Sequence, residues 1–393
     1  MSQATRRVAL AAACLALAGC ATIRTYIPEI PAPRWTADWF GGGSRKPGPM
    51  PELVASQAPQ VAWRAQIGKA AAGFAPIAVD NALYVAAIDG SVARFDATTG
   101  QQAWRASAGR NLSAGVGADA TIVVVGNDKG QVFAFDPDGK PLWNVNVSSE
   151  IIAPPRVAEG TAVIFSGDGR VYGLSTADGK TRWVFQRSNP PLTVRNAAGG
   201  TIARGGLFFG TPGGRLVAVD LANGQVAWEA VVATPKGATE LERIADVTSL
   251  PVVDRDATCA TAFQGRTVCF DLLRGTLLWS RDIASLGGIA IDARAVYVTD
   301  DAGAVHALDK STGASIWKQD RLAKRLIGGP QIVDDQVGVV DIEGWLHLIS
   351  PINGAYVGRV ATDGSAPTSQ PIAVGATVAW QSAGGGVFAV RAR

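Results

Sequence analysis

Histidine, cysteine and net charge are all scarce in this 393-residue chain, which has two histidines, four cysteines, and 36 Lys and Arg against 33 Asp and Glu. His306 and His347 supply two ligands at most, and two do not make a zinc site without carboxylate or thiolate company. They are expected as ordinary strand residues, on equivalent third strands of two successive repeats. A near-balanced charge leaves no nucleic-acid footprint and no polybasic membrane patch. There is no Gly-x-Ser-x-Gly elbow, no phosphate loop with Lys-Ser/Thr, and no clustered acidic spacing of a calcium loop. Beyond residue 20 no segment is apolar for long enough to cross a bilayer. The expectation is therefore a non-enzymatic monomer with no catalytic residue, no metal ligand and no cofactor.

What is present begins with a charged start, Arg6 and Arg7, followed by the short apolar run "VALAAACLALAGC". That order is a secretory signal covering residues 1–19. "LAGC", Leu17 to Cys20, resembles a bacterial lipobox. The resemblance implies cleavage before Cys20 and acylation of that cysteine, and Ala21 in place of Asp implies sorting to the outer membrane. Acyl chains buried at ~0.8 kcal/mol per CH₂ would anchor the chain without a membrane span. From Cys20 to Pro59 the chain is rich in Pro and Gly, as in "PEIPAPRW" and "GGGSRKPGPMPE". Such a composition buries little surface and is expected as an extended tether ahead of a folded body at residues 60–393.

Cys14 would leave with the signal and Cys20 would be lipidated, so two thiols remain, Cys259 and Cys269. They flank the expected turn "FQGR", Phe263 to Arg266. Across a hairpin in an oxidising compartment they can meet, whereas a slip of one residue would put them on opposite faces. Both readings stand at this point.

"RFDATTGQQAW", Arg94 to Trp104, resembles the tryptophan-docking motif of quinoprotein dehydrogenases, propellers that hold pyrroloquinoline quinone. Copies end at Trp143, Trp183, Trp228, Trp279 and Trp317, and a seventh, "LISPINGAYVG", has Gly358 at the Trp position. Each copy follows a second glycine landmark, from Gly90 and Gly130 to Gly344 and Gly385. Units of this length that repeat are stacked supersecondary structures. Within a unit, "APIAV", "ALYVAAI", "SVARFD" and "QQAWRA" read as four short antiparallel strands, the middle two joined at Asp89-Gly90. Four strands in about forty residues describe a propeller blade.

The chain ends complete the count. "APQVAWRAQI" carries Trp63 on an outermost strand with no inner strands before it, and residues 371–393 supply three strands without a fourth. Joined, they make one blade and close the ring. The expected fold is all-β, an eight-bladed β-propeller of four-stranded antiparallel blades, closed by the N-terminal strand. Quinoprotein dehydrogenases also use an adjacent cysteine pair, a calcium ion and a catalytic Asp. This chain has no adjacent cysteines, and Asp96, Asp136, Asp220, Asp271 and Asp309 recur once per repeat, as turn formers would. A quinoprotein-type oxidoreductase remains the rival reading, with a cell-envelope propeller serving another partner as a second.

Two repeats are longer than their neighbours. Trp183 to Trp228 and Trp228 to Trp279 carry extra residues in "FQRSNPPLTVRNAAGG" and "VVATPKGATELERIADVTSLP". Both join an outer strand to the next inner strand, so both emerge on one face as neighbours. Leu192 and Val194 beside Arg195, and Glu240, Glu242, Arg243 and Asp246 around Leu241 and Ile244, mix apolar anchors with charge as an interface does. The alternative is a pair of insertions folded over a blade edge.

Lipobox, tether, eight docking-motif blades and these insertions together resemble the BamB family, propeller lipoproteins of the outer-membrane β-barrel assembly (BAM) machinery. The resemblance implies a scaffold on the periplasmic face of the outer membrane that binds the POTRA region of BamA and assists insertion of β-barrel proteins. Direct handling of nascent strands is a further option. The family's contact motifs match "LTVR" and "TELERIADV", which carries the partner-binding role onto Leu192, Val194, Arg195 and Asp246, with Arg243 added from its place among them. Val194 stands where the family often has Leu, and Thr248 where it often has an acid.

Overall fold

The computed structural model describes residues 47–54, 58–188, 190, 192–194 and 199–392. The described residues form eight four-stranded antiparallel sheets. Blades 1 to 7 take residues 77–107, 117–146, 156–186, 200–231, 252–281, 289–319 and 331–361. Blade 8 comes from both ends of the chain: residues 372–391 supply three strands, and Gln60–Gln66 pairs antiparallel with Gly386–Arg391 as the fourth. Every innermost strand lies beside that of the next blade, including Ile372–Val374 beside Ile77–Val79, so the ring is closed. This is the eight-bladed propeller that the repeats imply.

The burial pattern follows from stacking blade on blade. In blade 1 the second strand, Ala82–Ala86, is buried throughout, because both of its faces meet neighbouring blades. Its apolar run is therefore continuous, whereas the outer strand Gln102–Ser107 is polar and partly exposed. Gly90 closes the hairpin between the middle strands at φ 95°, and a Cβ there would overlap the Gly109 carbonyl.

The repeated tryptophans bind each blade to the next. Trp104, Trp143, Trp183, Trp228, Trp279 and Trp317 donate Nε1 to the carbonyls of Pro137, Thr176, Leu221, Leu272, Lys310 and Pro351. Trp63 does the same from blade 8 to Ala97 of blade 1. The indole lies under the glycine of the receiving turn: at Gly100 a Cβ would come within 2.5 Å of Trp63. The turn itself is shaped by the repeated Asp. Asp96 Oδ1 accepts the Thr98 and Thr99 amides and the Thr99 hydroxyl, and Asp220, Asp271 and Asp309 accept the corresponding amides. Hydrogen bonds from the Ser311 and Thr312 side chains help hold the Asp309 carboxyl down to about 2.

The seam between blades 7 and 8 lacks this bond. Gly358 offers no indole, and blade 8 has no turn to receive one, since its third strand ends at Arg391 and its fourth begins at Gln60. The fully buried Trp380 fills the inner part of that seam, 5.7 Å from Phe388 and clustered with Leu346, Leu348 and Val357 of blade 7.

Residues 47–54 are laid on blade 7. Arg325 Nη1 donates to Gly48 O at 2.6 Å, Arg359 Nη1 to Pro51 O at 3.0 Å, and the Val54 amide to Tyr356 O at 2.9 Å. Leu53 packs against the cluster containing Trp317, Ile349 and Tyr356. The tether expected to run to Pro59 thus gives way to a docked strap from Pro47. Composition missed it because two of the strap's anchors are its own carbonyls, which composition does not reveal. The expected signal and Cys20 lie outside the described residues.

Cys259 and Cys269 face each other directly on neighbouring strands, both fully buried, and form a disulfide. His306 and His347 occupy equivalent third strands and bond through Nε2 to Asp300 and Asp341 at 2.8 and 2.9 Å.

Candidate functional site

Both insertions leave the ends of outer strands, so they emerge on the same face, on either side of blade 4. Asp246 joins them. Its Oδ2 accepts the Val194 amide from the first insertion at 2.6 Å, and its Oδ1 accepts Gly213 N from the central hairpin of blade 4 at 2.9 Å. Asp246 is only 5% exposed. Burial pushes its carboxyl above the usual range, and the two amides only partly offset that. Its main-chain carbonyl accepts Phe263 N, which ties blade 5 to the same point.

Thr239 and Glu242 form a capping box around a single turn: Glu242 Oε2 accepts the Ala238 and Thr239 amides, and Thr239 Oγ1 accepts Glu242 N. This fixes the tip of the second insertion. Arg243 lies over it, donating to Gly237 O and Glu240, with half its side chain exposed. Leu192 is 48% exposed and Leu241 37%, while Ile244 is turned inward. The surface thus presents Leu192, Leu241 and Arg243 on a base stiffened by Glu229, which pairs with both Arg187 and Arg215 at 2.8 Å.

The expected residues therefore divide. Leu192 and Arg243 are surface groups, Val194 is half-buried and contributes its amide, and Arg195 lies outside the described residues. Asp246 was expected as a contact residue, but burial gives its side chain an internal task, positioning the two loops. Thr248 is also buried, its hydroxyl donating to Ser285 O, so it offers no charge or contact at the surface. The capping box has a sequence signal of its own, the Thr-x-x-Glu spacing in "TELE". The Arg187–Glu229–Arg215 triad has no sequence signal, because strand pairing in blade 4 sets Arg215 near Glu229 and Arg187 reaches it from the end of blade 3.

A family model described as "Outer membrane protein assembly factor BamB" matches residues 51–109 and 88–319. The chain belongs to the BamB family. Among curated relatives, the outer membrane protein assembly factor BamB of Burkholderia pseudomallei is 40% identical over 351 residues, covering 89% of this chain and 92% of that protein. The crystal structure of BamB from Moraxella catarrhalis superimposes with a TM-score of 0.79 at 23% identity, over 85% of this chain and all of that one. A quinohemoprotein alcohol dehydrogenase from Pseudomonas putida HK5 gives 0.71 at 14% identity, over 86% of this chain and 76% of that one. These two structural likenesses establish the propeller and leave its use to the site.

Proposed function

We propose that this protein is a non-enzymatic scaffold of the outer-membrane β-barrel assembly complex, binding the BamA POTRA region through its two insertions. The observation that carries the reading is the Asp246 carboxylate, which joins both loops and blade 4 into one surface. A ring of eight rigid blades beneath such a surface suits orientation of a multidomain partner, since few side chains need be ordered on binding. Leu192 and Leu241 act as apolar anchors, and Arg195 and Arg243 supply charge around them. Lipidation at Cys20 holds the molecule to the periplasmic face of the outer membrane.

The rival oxidoreductase reading draws on the shared ring architecture. It lacks the adjacent cysteine pair that quinoprotein dehydrogenases use, and it gives the two insertions no role. Co-purification from detergent-solubilised outer membranes decides between them. The scaffold reading expects BamA to accompany the wild type, and Cys20→Ser to leave the membrane fraction when no partner is present. A preparation free of BamA that binds a quinone with calcium would reverse the assignment.

A further inference from the structure

The eight innermost strands surround the central opening, and their residues are almost wholly apolar or small. They are Ile77–Val79, Gly117–Ala118, Arg156–Ala158, Gly200–Ala203, Val252–Val253, Ile289–Ile291, Gln331–Val333 and Ile372–Val374. Arg156 is the only charged side chain among them.

Among the described residues it is also a charge without company. Among the described residues its guanidinium makes no ion pair, and its buried Nε has no hydrogen-bond partner. Burial alone lowers it to about 10, with no neighbouring charge contributing. The residue nevertheless remains partly exposed. Deep placement with some open surface is the position of a group on the wall of an internal channel. Buried charges are ordinarily paired, because an isolated one in a poorly solvated setting is costly. A neutral side chain would serve packing better, so the cation is retained at a cost to stability.

Its location is specific. Arg156 opens the inner strand of blade 3, at the end nearer the face from which the insertions emerge. It pairs with Val163, whose side chain clusters with Leu207 and Phe209 of blade 4, so Arg156 shares the sheet face turned to the blade 3–4 seam. The neighbouring inner strand of blade 4 starts at Gly200, where the first insertion ends. A guanidinium there presents a planar fork of N–H donors, which matches an oxyanion in two-point fashion.

We propose that Arg156 is an anion-binding point at the insertion-side mouth of the central channel, taking a carboxylate or phosphate oxyanion. Two sources share that chemistry, a free small anion and an acidic side chain of the partner proposed above. The first arm of the test does not depend on that partner.

The purified protein is titrated with sodium phosphate and with sodium acetate against sodium chloride at matched ionic strength, and its thermal midpoint is followed. A free anion is expected to raise the wild-type midpoint saturably by ~2 °C or more, to leave Arg156→Gln flat and to keep a smaller response in Arg156→Lys. The second arm measures partner affinity. If the anions leave the wild type unmoved, Arg156→Gln is expected to bind the partner at least tenfold more weakly with its fold intact. A flat anion response together with unchanged partner affinity in Arg156→Gln would overturn the proposal. Should the wild type bind no such partner, the scaffold reading fails separately, and the anion arm alone decides.

Discussion

The Trp63 indole donates to the Ala97 carbonyl at 2.9 Å, and so joins the last blade to the first across the point where the ring closes. Trp63 is 8% exposed and packs with Phe95 of blade 1. Trp63→Ala is expected to cost roughly 3–5 kcal/mol in denaturant unfolding, as for other core aromatics. Deleting residues 60–67 removes the fourth strand of blade 8 and should lower the thermal midpoint of the whole propeller. An unchanged midpoint would mean that this strand does not hold the ring.

Asp246 shows where an expectation drawn from motif and an observation of burial part company. Asp246→Ala leaves the Val194 and Gly213 amides without their acceptor, about 1–3 kcal/mol for each such group that stays buried. Hydrogen exchange should accelerate at Val194 and Gly213 while the blade strands stay protected. Unaltered exchange at both amides would show that the loops do not depend on this carboxylate.

Arg325 is 2% exposed and bonds Asp341, which is fully buried, together with Glu343 and the strap carbonyl of Gly48. Burial by itself would raise the Asp341 carboxyl, but His347, the Trp345 amide and Arg325 outweigh it and hold it below the usual range. A folded-state value below the unfolded one contributes stability that is complete above the unfolded value of ~3.9 and is lost as pH falls through the folded value. Asp341→Asn should therefore cost about 3–5 kcal/mol at neutral pH, leaving Arg325 poorly paired. The gap to the wild type should begin to narrow as pH falls below about 4 and shrink further as pH passes through the folded value. A penalty independent of pH would point to packing as its cause.

The disulfide between Cys259 and Cys269 closes a ten-residue separation, for which loop closure predicts roughly 2–3 kcal/mol. Cys259→Ala with Cys269→Ala should lower the denaturant midpoint by that order. Because both cysteines are fully buried, mild reductant should leave the bond intact in the native protein and cleave it after unfolding. Reduction in the native state would contradict that burial.

The blades were legible because each repeats its own signals. The Asp that shapes a turn, the Gly that packs on an indole and the Trp that donates across a seam lie within one short stretch of chain, so their spacing survives in sequence. The proposed partner face was legible only in part. Extra length between Trp183 and Trp279 located it, but the inward turn of Asp246 and Ile244 depends on blade 4 beneath them. Strap residues 47–54 escaped notice for a related reason: their hold runs through carbonyls to Arg325 and Arg359, some three hundred residues away. Arg156 has no motif at all, and its isolation exists only once eight inner strands are set side by side.

Binding of the purified BamA periplasmic region to wild type, Arg195→Glu, Leu192→Asp and Lys318→Glu tests the proposed interface most directly. Lys318 is exposed on the outer strand of blade 6, away from both insertions. Reversing Arg195 and charging Leu192 should each weaken binding by about thirtyfold or more, the size expected for a central anchor worth ~2 kcal/mol. Lys318→Glu should bind like the wild type. Wild-type affinity in both Arg195→Glu and Leu192→Asp, with each still folded, would contradict the assignment of this face to BamA.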